Sequence, residues 1–530
     1  MNYSFKHLIL AGMAMLAGTL AYAQVTTSSL SGRVTDEKGQ PALGAAVVAT
    51  HEPSGTVYGA VVNENGQYNI VGMRAGGPYK IEVSSVGYAS VVYKDVTIQL
   101  ADAYKLDAVL KESNEFLQEV VVVGTAKSKF SSEKTGAATN ISNAQMTALP
   151  TVSRSIEEAT RLSPYGGNRM SFAGTDGRTA NFTVDGANFN NNFGLNDGLP
   201  GGGNPISLDA IEELQVVISP YDVRQTNFIG GGVNAITKSG TNTFRGTAYV
   251  YHKNEYMRGD YVDGQAVSGA RDKDRNTIYG LTLGGPIIKN KLFFFVSAEM
   301  AKSPSVAVRW RASENGVGSD IKYLSYCSVA DMERVAEHVK TKYGYDPGSF
   351  TDFPADESNK KILVRLDWNI NEKNRLAVRY NYTNNIQWNA PNASSMDGGT
   401  RSAYGRTSLY SMAFSNSMYS INNLVHSVSV DLNSRINNNL SNQFLATFSK
   451  LDDVRGTNSS EFPFIDIQDG TGSNTQYMAL GLELFTHNNA VHNTVFNVKD
   501  DLVYYKGDHK LTMGLNYEYQ MADNAYMRNG

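Results

Sequence analysis

The residues that could carry out chemistry are few and widely separated along the chain. It has eight histidines, and no two of them have the spacing of a metal-binding pair. Its one cysteine, Cys327, lacks the context of a catalytic nucleophile and is interpreted as a loop residue. The sequence therefore predicts no catalytic residue, no metal site and no cofactor.

A glycine-rich tract, 198–204, is the one segment that could be taken for a phosphate-binding loop. Such a loop needs a following Gly-Lys-Ser/Thr at the start of a helix, because that lysine and the backbone amides hold the phosphates. The tract is followed instead by Pro205-Ile206-Ser207. We interpret it as a mobile loop.

Overall composition argues against a nucleic-acid partner. Lys and Arg number 47 against 51 Asp and Glu, so the net charge is -4 and no basic face is indicated. The aromatic residues are 30 Tyr and 21 Phe with only 3 Trp. Tyr and Phe favour β-strands, and Tyr also favours a membrane interface.

The first 23 residues have the pattern of a secretory signal peptide. Lys6 and His7 precede an apolar stretch from Leu8 to Leu20, and Ala21-Tyr22-Ala23 is a small-x-small cleavage site. This predicts a mature chain that begins at Gln24. No later segment has the unbroken apolar length of a membrane-spanning helix, so any span must be a β-barrel, which pairs all of its backbone amides.

Residues 24–112 predict a small β-sandwich, because short alternating strands are separated by turn residues. Asn65-Gly66 stands between Val57–Val62 and Gln67–Val71 and predicts a hairpin. The phrases Ser31-Gly-Arg-Val-Thr-Asp36, Asn65-Gly-Gln-Tyr68 and Val86-Gly-Tyr88 resemble the carboxypeptidase regulatory-like domain. That resemblance implies a transthyretin-like fold and no peptidase activity. His51 is the only histidine there, too few for a metallopeptidase site.

A linker, 113–132, contains a run of valines, Glu119-Val120-Val121-Val122-Val123-Gly124-Thr125. Valine is stiff and favours extended backbone. One interpretation is a buried strand of the preceding domain, and the other is an exposed segment that adds to the sheet of a partner. The run resembles the TonB box, and this resemblance implies that TonB is the partner.

Residues 133–240 resemble the plug domain of TonB-dependent receptors, in order and in spacing. The matching phrases are Ser155–Ala159, Arg178–Gly186, Leu208–Val216 and Gly230–Gly240. An Asp-Gly turn is expected to close one strand, and the glycine cluster is expected to allow close backbone packing or positive φ. The plug residues singled out are Asp185, Gly186, Glu212, Gly230, Gly231 and Gly232.

Residues 241–530 alternate as the strands of an outer-membrane β-barrel. Leu511, Met513, Leu515, Tyr517 and Tyr519, for example, alternate with polar residues, which fits an apolar outer face with aromatic ends. Nine strands are predicted, joined by alternating short and long connections, the pattern of periplasmic turns and extracellular loops. The predicted strands lie near 244–252, 276–285, 291–300, 360–369, 375–384, 423–434, 440–450, 492–505 and 510–520.

Two features refine the barrel. Gly284–Phe295 resembles the second hairpin of Oar-like TonB-dependent receptors. In the loop 301–359, the segment Asp331–Tyr343 predicts a helix with Met332, Val335, Ala336, Val339 and Tyr343 on one face. A plugged transporter barrel has about 22 strands, so nine strands predict a chain that continues beyond residue 530.

The predicted fold class is therefore mainly β: a signal peptide, a transthyretin-like sandwich, an α+β plug and the first part of a large antiparallel barrel. The resemblance implies a non-enzymatic importer at the cell outer membrane, with its N-terminal domain in the periplasm. Expected partners are TonB, outer-membrane lipid and an extracellular ligand, which is a glycan, a peptide or protein, or a siderophore. Alternatives are a surface adhesin or structural β-protein, a protein exporter and, third, a hydrolase. The adhesin would lack a plug, and the hydrolase would need a nucleophile with a base or a metal site.

Overall fold

The protein is described by a computed structural model, and its elements are mainly β-strands, which confirms the predicted fold class. The predicted signal peptide, 1–23, lies outside the described residues. The structure describes residues 25–113, 120–123, 137–149, 154–168, 170–190, 199, 204–218, 222–225, 230–266, 275–304, 308–354, 356–392, 405–470, 475–507 and 509–527.

Residues 25–113 and 120–123 form two sheets packed face to face, here called the N-terminal sandwich. One sheet has the order β4-β1-β7, with β8 also pairing with β1, and the other has the order β3-β2-β5-β6-β9. Alternate residues of both sheets fill one apolar core, including Leu30, Val47, Tyr68 and Ile81. The strands are β1 (Ser28–Asp36), β2 (Ala46–His51), β3 (Thr56–Val61), β4 (Gln67–Met73), β5 (Gly76–Ser84), β6 (Val91–Ile98), β7 (Ala103–Lys105), β8 (Ala108–Leu110) and β9 (Val120–Val123).

The hairpin predicted at Asn65-Gly66 is wrong, although the turn itself is present. The Asn63 side chain accepts hydrogen bonds from the amides of Asn65 and Gln67, and Gly66 has a φ of 79°. The strands on either side belong to different sheets, because β3 pairs with β2 and β4 pairs with β1. The turn is therefore a corner of the sandwich, where the chain crosses from one sheet to the other.

Residues 137–238 form a second unit, here called the middle unit. Its five strands have the order β10-β13-β14-β11-β12. Phe172, Phe182, Phe189 and Leu214 are fully buried in its core. The elements are β10 (Ala137–Ser142), α1 (Asn143–Ala148), α2 (Ile156–Thr160), β11 (Asn181–Val184), β12 (Ala187–Asn188), β13 (Ile211–Ile218) and β14 (Gly232–Thr237), with single 3₁₀ turns at Gly177–Thr179 and Leu208–Ala210.

The remaining described residues contribute sixteen strands, one α-helix, and 3₁₀ turns at Glu255–Met257 and Ser415–Ser417. These elements are β15 (Arg245–Lys253), β16 (Tyr261–Val262), β17 (Gln265–Ala266), β18 (Asn276–Ile288), β19 (Leu292–Lys302), β20 (Arg311–Ser313), β21 (Leu324–Ser328), α3 (Val329–Tyr343), β22 (Ser358–Asn369), β23 (Asn374–Asn389), β24 (Met412–Ala413), β25 (Tyr419–Arg435), β26 (Leu440–Gly456), β27 (Ile465–Gln468), β28 (Gln476–Leu480), β29 (Ala490–Lys506) and β30 (His509–Ala525).

Nine of these strands make one continuous antiparallel sheet, here called the wall. Its order is β15-β18-β19-β22-β23-β25-β26-β29-β30. These are the nine strands predicted from the sequence, and the long strands reach 17 residues. Connections at one end have two to four residues, and those at the other end have twenty or more. The predicted alternation of short turns and long loops is confirmed.

The two faces of the wall are inverted relative to those of a water-soluble sheet. On β22, Ile362, Leu366 and Trp368 are each at least 40% exposed, while Lys361 and Asp367, at alternate positions of the same strand, are buried. On β30, the last strand of the sheet, Leu511, Met513 and Leu515 are also exposed. The polar face packs against the middle unit, and four wall residues, Phe295, Leu363, Val425 and Leu451, join its core. Lipid on the outer face accounts for this inversion.

At the long-loop end, three loops pack together into what we call the cap. Its core contains Met332 and Val339 of α3, Phe414 and Met478. Cys327 was predicted to be a loop residue; it lies instead in β21 and is fully buried in this core. Packing of distant loops against one another, which the local sequence does not encode, explains this error.

Helix α3 confirms the helix predicted in the longest loop. Ser328 caps its N-terminus by accepting from the amide of Asp331, and Gly344 ends it with a φ of 67°. Met332 and Val339 face the core as predicted, whereas Tyr343 is mostly exposed. Among the described helices, none is long and apolar enough to cross a membrane.

Candidate functional site

The valine run is a strand of the N-terminal sandwich. Val120–Val123 is β9, which pairs in parallel with β6 from Val91 to Lys94. This position agrees with the first interpretation of the run, a strand of the preceding domain. It does not exclude the second, because β9 is the last strand of its sheet and no described strand pairs with its other edge. Glu119, Gly124 and Thr125 lie outside the described residues.

Asp185 and Gly186 form the turn between β11 and β12, with φ values of 45° and 77°. A Cβ atom at Gly186 would lie 2.5 Å from Cδ2 of Leu445 on the wall, so only glycine fits. The Asp185 carboxylate accepts from the amide of Thr237 at 2.9 Å and from its hydroxyl at 2.7 Å. This turn is therefore anchored to β14 and lies in direct contact with the wall.

Asp185 is also one member of a buried ion-pair chain that links all three units. On the wall, Arg365 Nη1 and Arg379 Nε each lie 3.4 Å from an Asp185 oxygen. Arg365 also donates to Asp367 at 2.9 Å, and Asp367 accepts from Arg74 of the N-terminal sandwich at 3.1 Å. Because these groups are buried, each is stable only while its opposite charge stays in place.

The glycine cluster packs closely against the side chains of a neighbouring loop. A Cβ atom on Gly231 would lie 2.9 Å from the Phe172 side chain, and one on Gly230 would overlap the Thr175 side chain. Gly232 begins β14 and pairs with both Asn181 and Val217. The cluster therefore brings β14 close to the loop that carries Phe172.

Glu212 and its neighbour Glu213 face the N-terminal sandwich from β13. Glu212 lies against Gly76, and burial raises the pKa of its carboxyl group. Glu213 accepts from the amide of Leu100 at 3.0 Å and from Asn140 at 2.6 Å. Burial raises the pKa of Glu213 to about 7. Sequence reasoning selected Glu212, but Glu213 makes the direct contact.

A second polar contact joins the middle unit to the wall nearer the long-loop end. Ser207 Oγ donates to Glu299 at 2.9 Å, and Lys361 Nζ donates to the same carboxylate at 2.7 Å. Tyr249 also donates to Glu299 at 2.8 Å. Arg154 of the middle unit pairs with Asp209 and stacks on two wall tyrosines, Tyr249 and Tyr251. The middle unit is therefore fixed at two levels of the wall.

His51 belongs to a chain of hydroxyl groups inside the sandwich. Its Nδ1 lies 2.7 Å from Ser54 Oγ, which lies 2.7 Å from Thr56 Oγ1. Thr56 in turn accepts from Asn369 of the wall at 3.1 Å. Burial lowers the pKa of His51 to about 3, so the ring is neutral. Ser54 is fully buried, and its bond to Thr56 connects the His51 ring to the sandwich residue that contacts the wall.

Among the described residues, no group of three or more His, Cys, Asp or Glu side chains could hold a metal ion. The sequence did not predict the residues that form the polar contacts between the three units. These residues are Arg74, Arg365, Asp367, Arg379 and Glu213. They join segments far apart in sequence, and no local pattern marks them.

Two family models match the chain. The carboxypeptidase regulatory-like domain matches residues 29–111. The outer membrane beta barrel domain matches residues 236–309 and 336–530, together just over half of the chain.

Individual relatives are more distant. The TonB-dependent transporter Oar of Myxococcus xanthus is 23% identical over 394 residues, which are 71% of this chain and 35% of that protein. Among solved structures, the outer membrane transporter YddB from Escherichia coli is 11% identical with a TM-score of 0.48, covering 73% of this chain and 48% of its own. The siderophore receptor PirA from Pseudomonas aeruginosa is 12% identical with a TM-score of 0.43 and the same coverage. The chain thus spans about half or less of the proteins it matches.

Proposed function

Since this chain belongs to the outer membrane beta barrel domain family and is an outer-membrane protein, we propose that it acts in TonB-dependent transport. In this proposal a ligand binds at the cell surface, and TonB supplies the energy for its import. The wall is the barrel, the middle unit is its plug, and residues 119–125 are the coupling segment. The short-turn end then faces the periplasm, where the N-terminal sandwich lies, and the cap faces the outside.

The observation that carries the proposal is the way the plug is held. Its contacts with the barrel are ion pairs, hydrogen bonds and a small apolar set, centred on Asp185 and Ser207. Contacts of this kind separate when water replaces the partner, whereas a covalent or fully apolar interface would not. A plug held in this way stays bound to the barrel in the absence of force and can be displaced when TonB pulls on it.

The coupling segment fits strand addition to TonB. Val120–Val123 is already extended, and only one of its edges is paired among the described strands. An extended segment loses less conformational entropy when it joins a second sheet. The flanks, 111–118 and 126–134, are mostly polar and have the composition of a linker.

The ligand class is glycan, peptide or protein, or siderophore. The cap is the proposed contact surface, since α3 and its neighbours present an ordered outer face built from three loops. The relatives are named as transporters and receptors, and we propose no enzymatic activity for this chain.

Capture by TonB tests the proposal. Full-length protein in detergent would be passed over an immobilised periplasmic domain of TonB. Val121→Pro removes a backbone donor and fixes φ, so we expect retention to fall by about tenfold or more, since strand pairing needs that N–H. Val121→Thr keeps both the donor and the strand preference and is the matched control.

Two outcomes are decisive. Retention of wild type and Val121→Thr with loss of Val121→Pro supports coupling through this segment. Equal retention of all three variants, or of none, contradicts it.

A further inference from the structure

Two cavities lie at the short-turn end, where the N-terminal sandwich, the plug and the barrel wall meet. Their volumes are about 130 and 200 Å³. Four residues line both cavities: Thr27 and Gly72 from the sandwich, and Arg375 and Asn433 from the wall. The sandwich therefore divides a space that would otherwise be continuous between plug and wall.

The dividing segment is the start of the described chain, residues 25–29. The Val25 carbonyl accepts from Asn234 of the plug at 2.6 Å. The Thr26 hydroxyl donates to Asp431 of the wall and accepts from Gln443, both at 2.6 Å. This short segment is thus bonded to plug and wall at the same time.

The outer edge of β3 provides the second attachment. Two carbonyls on that edge, of Val57 and Gly59, accept from Arg375 and Arg435 of the wall, the first at 2.7 Å. The Arg375 guanidinium also stacks on Tyr58 at 4.0 Å. A strand edge that would otherwise be open is therefore covered by wall arginines.

Nearly all of these attachments are polar. The apolar contact between sandwich and plug is a small cluster of Ala75, Leu100, Ala101 and Ile236. Polar interfaces between domains of one chain resemble transient protein–protein contacts, in which relative motion is expected. The sandwich is thus positioned to leave its place without unfolding.

We propose that the N-terminal sandwich is a gate across the periplasmic end of the transporter. It closes the space between plug and barrel wall, and a solute moving along that wall reaches the periplasm only after the sandwich has lifted. This inference rests on the proposed transport function for its direction. Its geometric part, a removable closure, can be tested separately.

A disulfide would lock the gate. An ideal Cβ atom on Gly72 would lie 3.8 Å from Cβ of Asn433, a separation typical of disulfides. The test is therefore Gly72→Cys combined with Asn433→Cys. Gly72 has a φ of 66°, where a side chain is strained, so the Gly72→Cys single variant carries the same strain and is the matched control.

Val217→Cys reports whether the gate opens. Val217 is a buried plug residue that lines the smaller cavity and makes no side-chain hydrogen bond of its own. The full-length protein, in cells, would be exposed to a water-soluble maleimide. Labelling would be quantified on the peptide containing residue 217, so the buried Cys327 and the locking cysteines do not interfere.

We expect the oxidised lock to slow labelling by about tenfold or more relative to either single variant, because labelling requires local opening. Reduction should restore the rate, and Arg375→Ala with Arg435→Ala should raise it. Equal labelling with and without the lock overturns the gate. Failure of the disulfide to form under oxidation also overturns it, since the docked position would then be wrong.

An uncoupler separates the gate from the proposed function. If the lock slows labelling and collapse of the proton gradient slows it as well, both proposals are supported. If the lock acts but the uncoupler does not, the gate stands and TonB coupling is contradicted.

Discussion

At the scale of single residues, Glu213 illustrates how burial and a hydrogen bond oppose each other. Burial raises its pKa, while the bonds from Asn140 and the Leu100 amide favour the charged form. Burial dominates, and the pKa stands at about 7 against an ordinary 4.5. The folded protein therefore binds this proton more tightly than the unfolded chain does.

The pH dependence follows from that sign. The contribution of Glu213 to stability is fully present below pH 4.5 and is lost as the pH rises through about 7. The Glu213→Gln side chain keeps an acceptor for the Leu100 amide and does not titrate. Between pH 5 and 8, the melting temperature of this variant should therefore fall less than that of wild type. Calorimetry of the full-length protein would measure this. The exposed Glu64→Gln should follow wild type, and identical slopes for all three proteins would refute the assignment.

Residue roles were only partly predictable. The Asp185-Gly186 turn was found because a positive φ leaves a local signature in the residue types. Glu213 was missed in favour of Glu212, because which of two adjacent glutamates contacts Leu100 depends on docking between segments over a hundred residues apart. Arg365 and Arg379 were missed for the same reason.

At the scale of elements, the wall strands test whether the exposed apolar face contacts lipid. Phe448 lies at the centre of β26, half-exposed, in a cross-strand row with Val428 and Phe496. In a water-exposed sheet, Phe448→Arg would be nearly neutral. In a barrel it should destabilise the protein by about 2–4 kcal/mol, because the charge lies near the middle of the bilayer.

Denaturant unfolding of the full-length protein in lipid vesicles would measure that difference. Phe448→Leu is the control, since it shortens the side chain without adding charge. A loss for Phe448→Arg no greater than that for Phe448→Leu would mean that this face does not contact lipid.

Element predictions succeeded where the signal is local and failed where it is not. All nine wall strands were predicted, because the alternation of apolar and polar residues along a strand, and the length of each turn, depend on neighbouring residues only. The pairing of β3 with β2, rather than with β4, is decided by how two sheets stack, and the Asn65-Gly66 turn is compatible with either arrangement.

At the scale of the whole molecule, the buried ion-pair chain connects the N-terminal sandwich, the wall and the middle unit through Arg74, Asp367, Arg365 and Asp185. Asp185→Asn should destabilise the middle unit by about 3 kcal/mol, because it leaves Arg379 buried without its carboxylate. Asparagine tolerates the positive φ of this turn, so the backbone is not strained. The loss therefore reports the missing carboxylate, both its charge and the acceptor oxygen that the amide group replaces, and not backbone strain.

The free energy of unfolding of Asp185→Asn, measured by calorimetry, is compared with that of wild type. Asp95→Asn is the matched control, since it removes an exposed carboxylate that also stands at a positive φ of 57°. Equal effects of the two substitutions would show that the ion-pair chain does not hold the middle unit in place.

The shared core of the cap has a consequence for biogenesis. Cys327 and Met332 come from the first of its loops, Phe414 from the second, and Met478 and Leu480 from the third. β24 pairs only with β28 among the described strands, so the second loop has no sheet partner until the third arrives. We therefore expect the complete core of the cap to form only after the third loop has joined the first two. An antibody specific for the ordered cap would therefore distinguish finished molecules from those still being inserted.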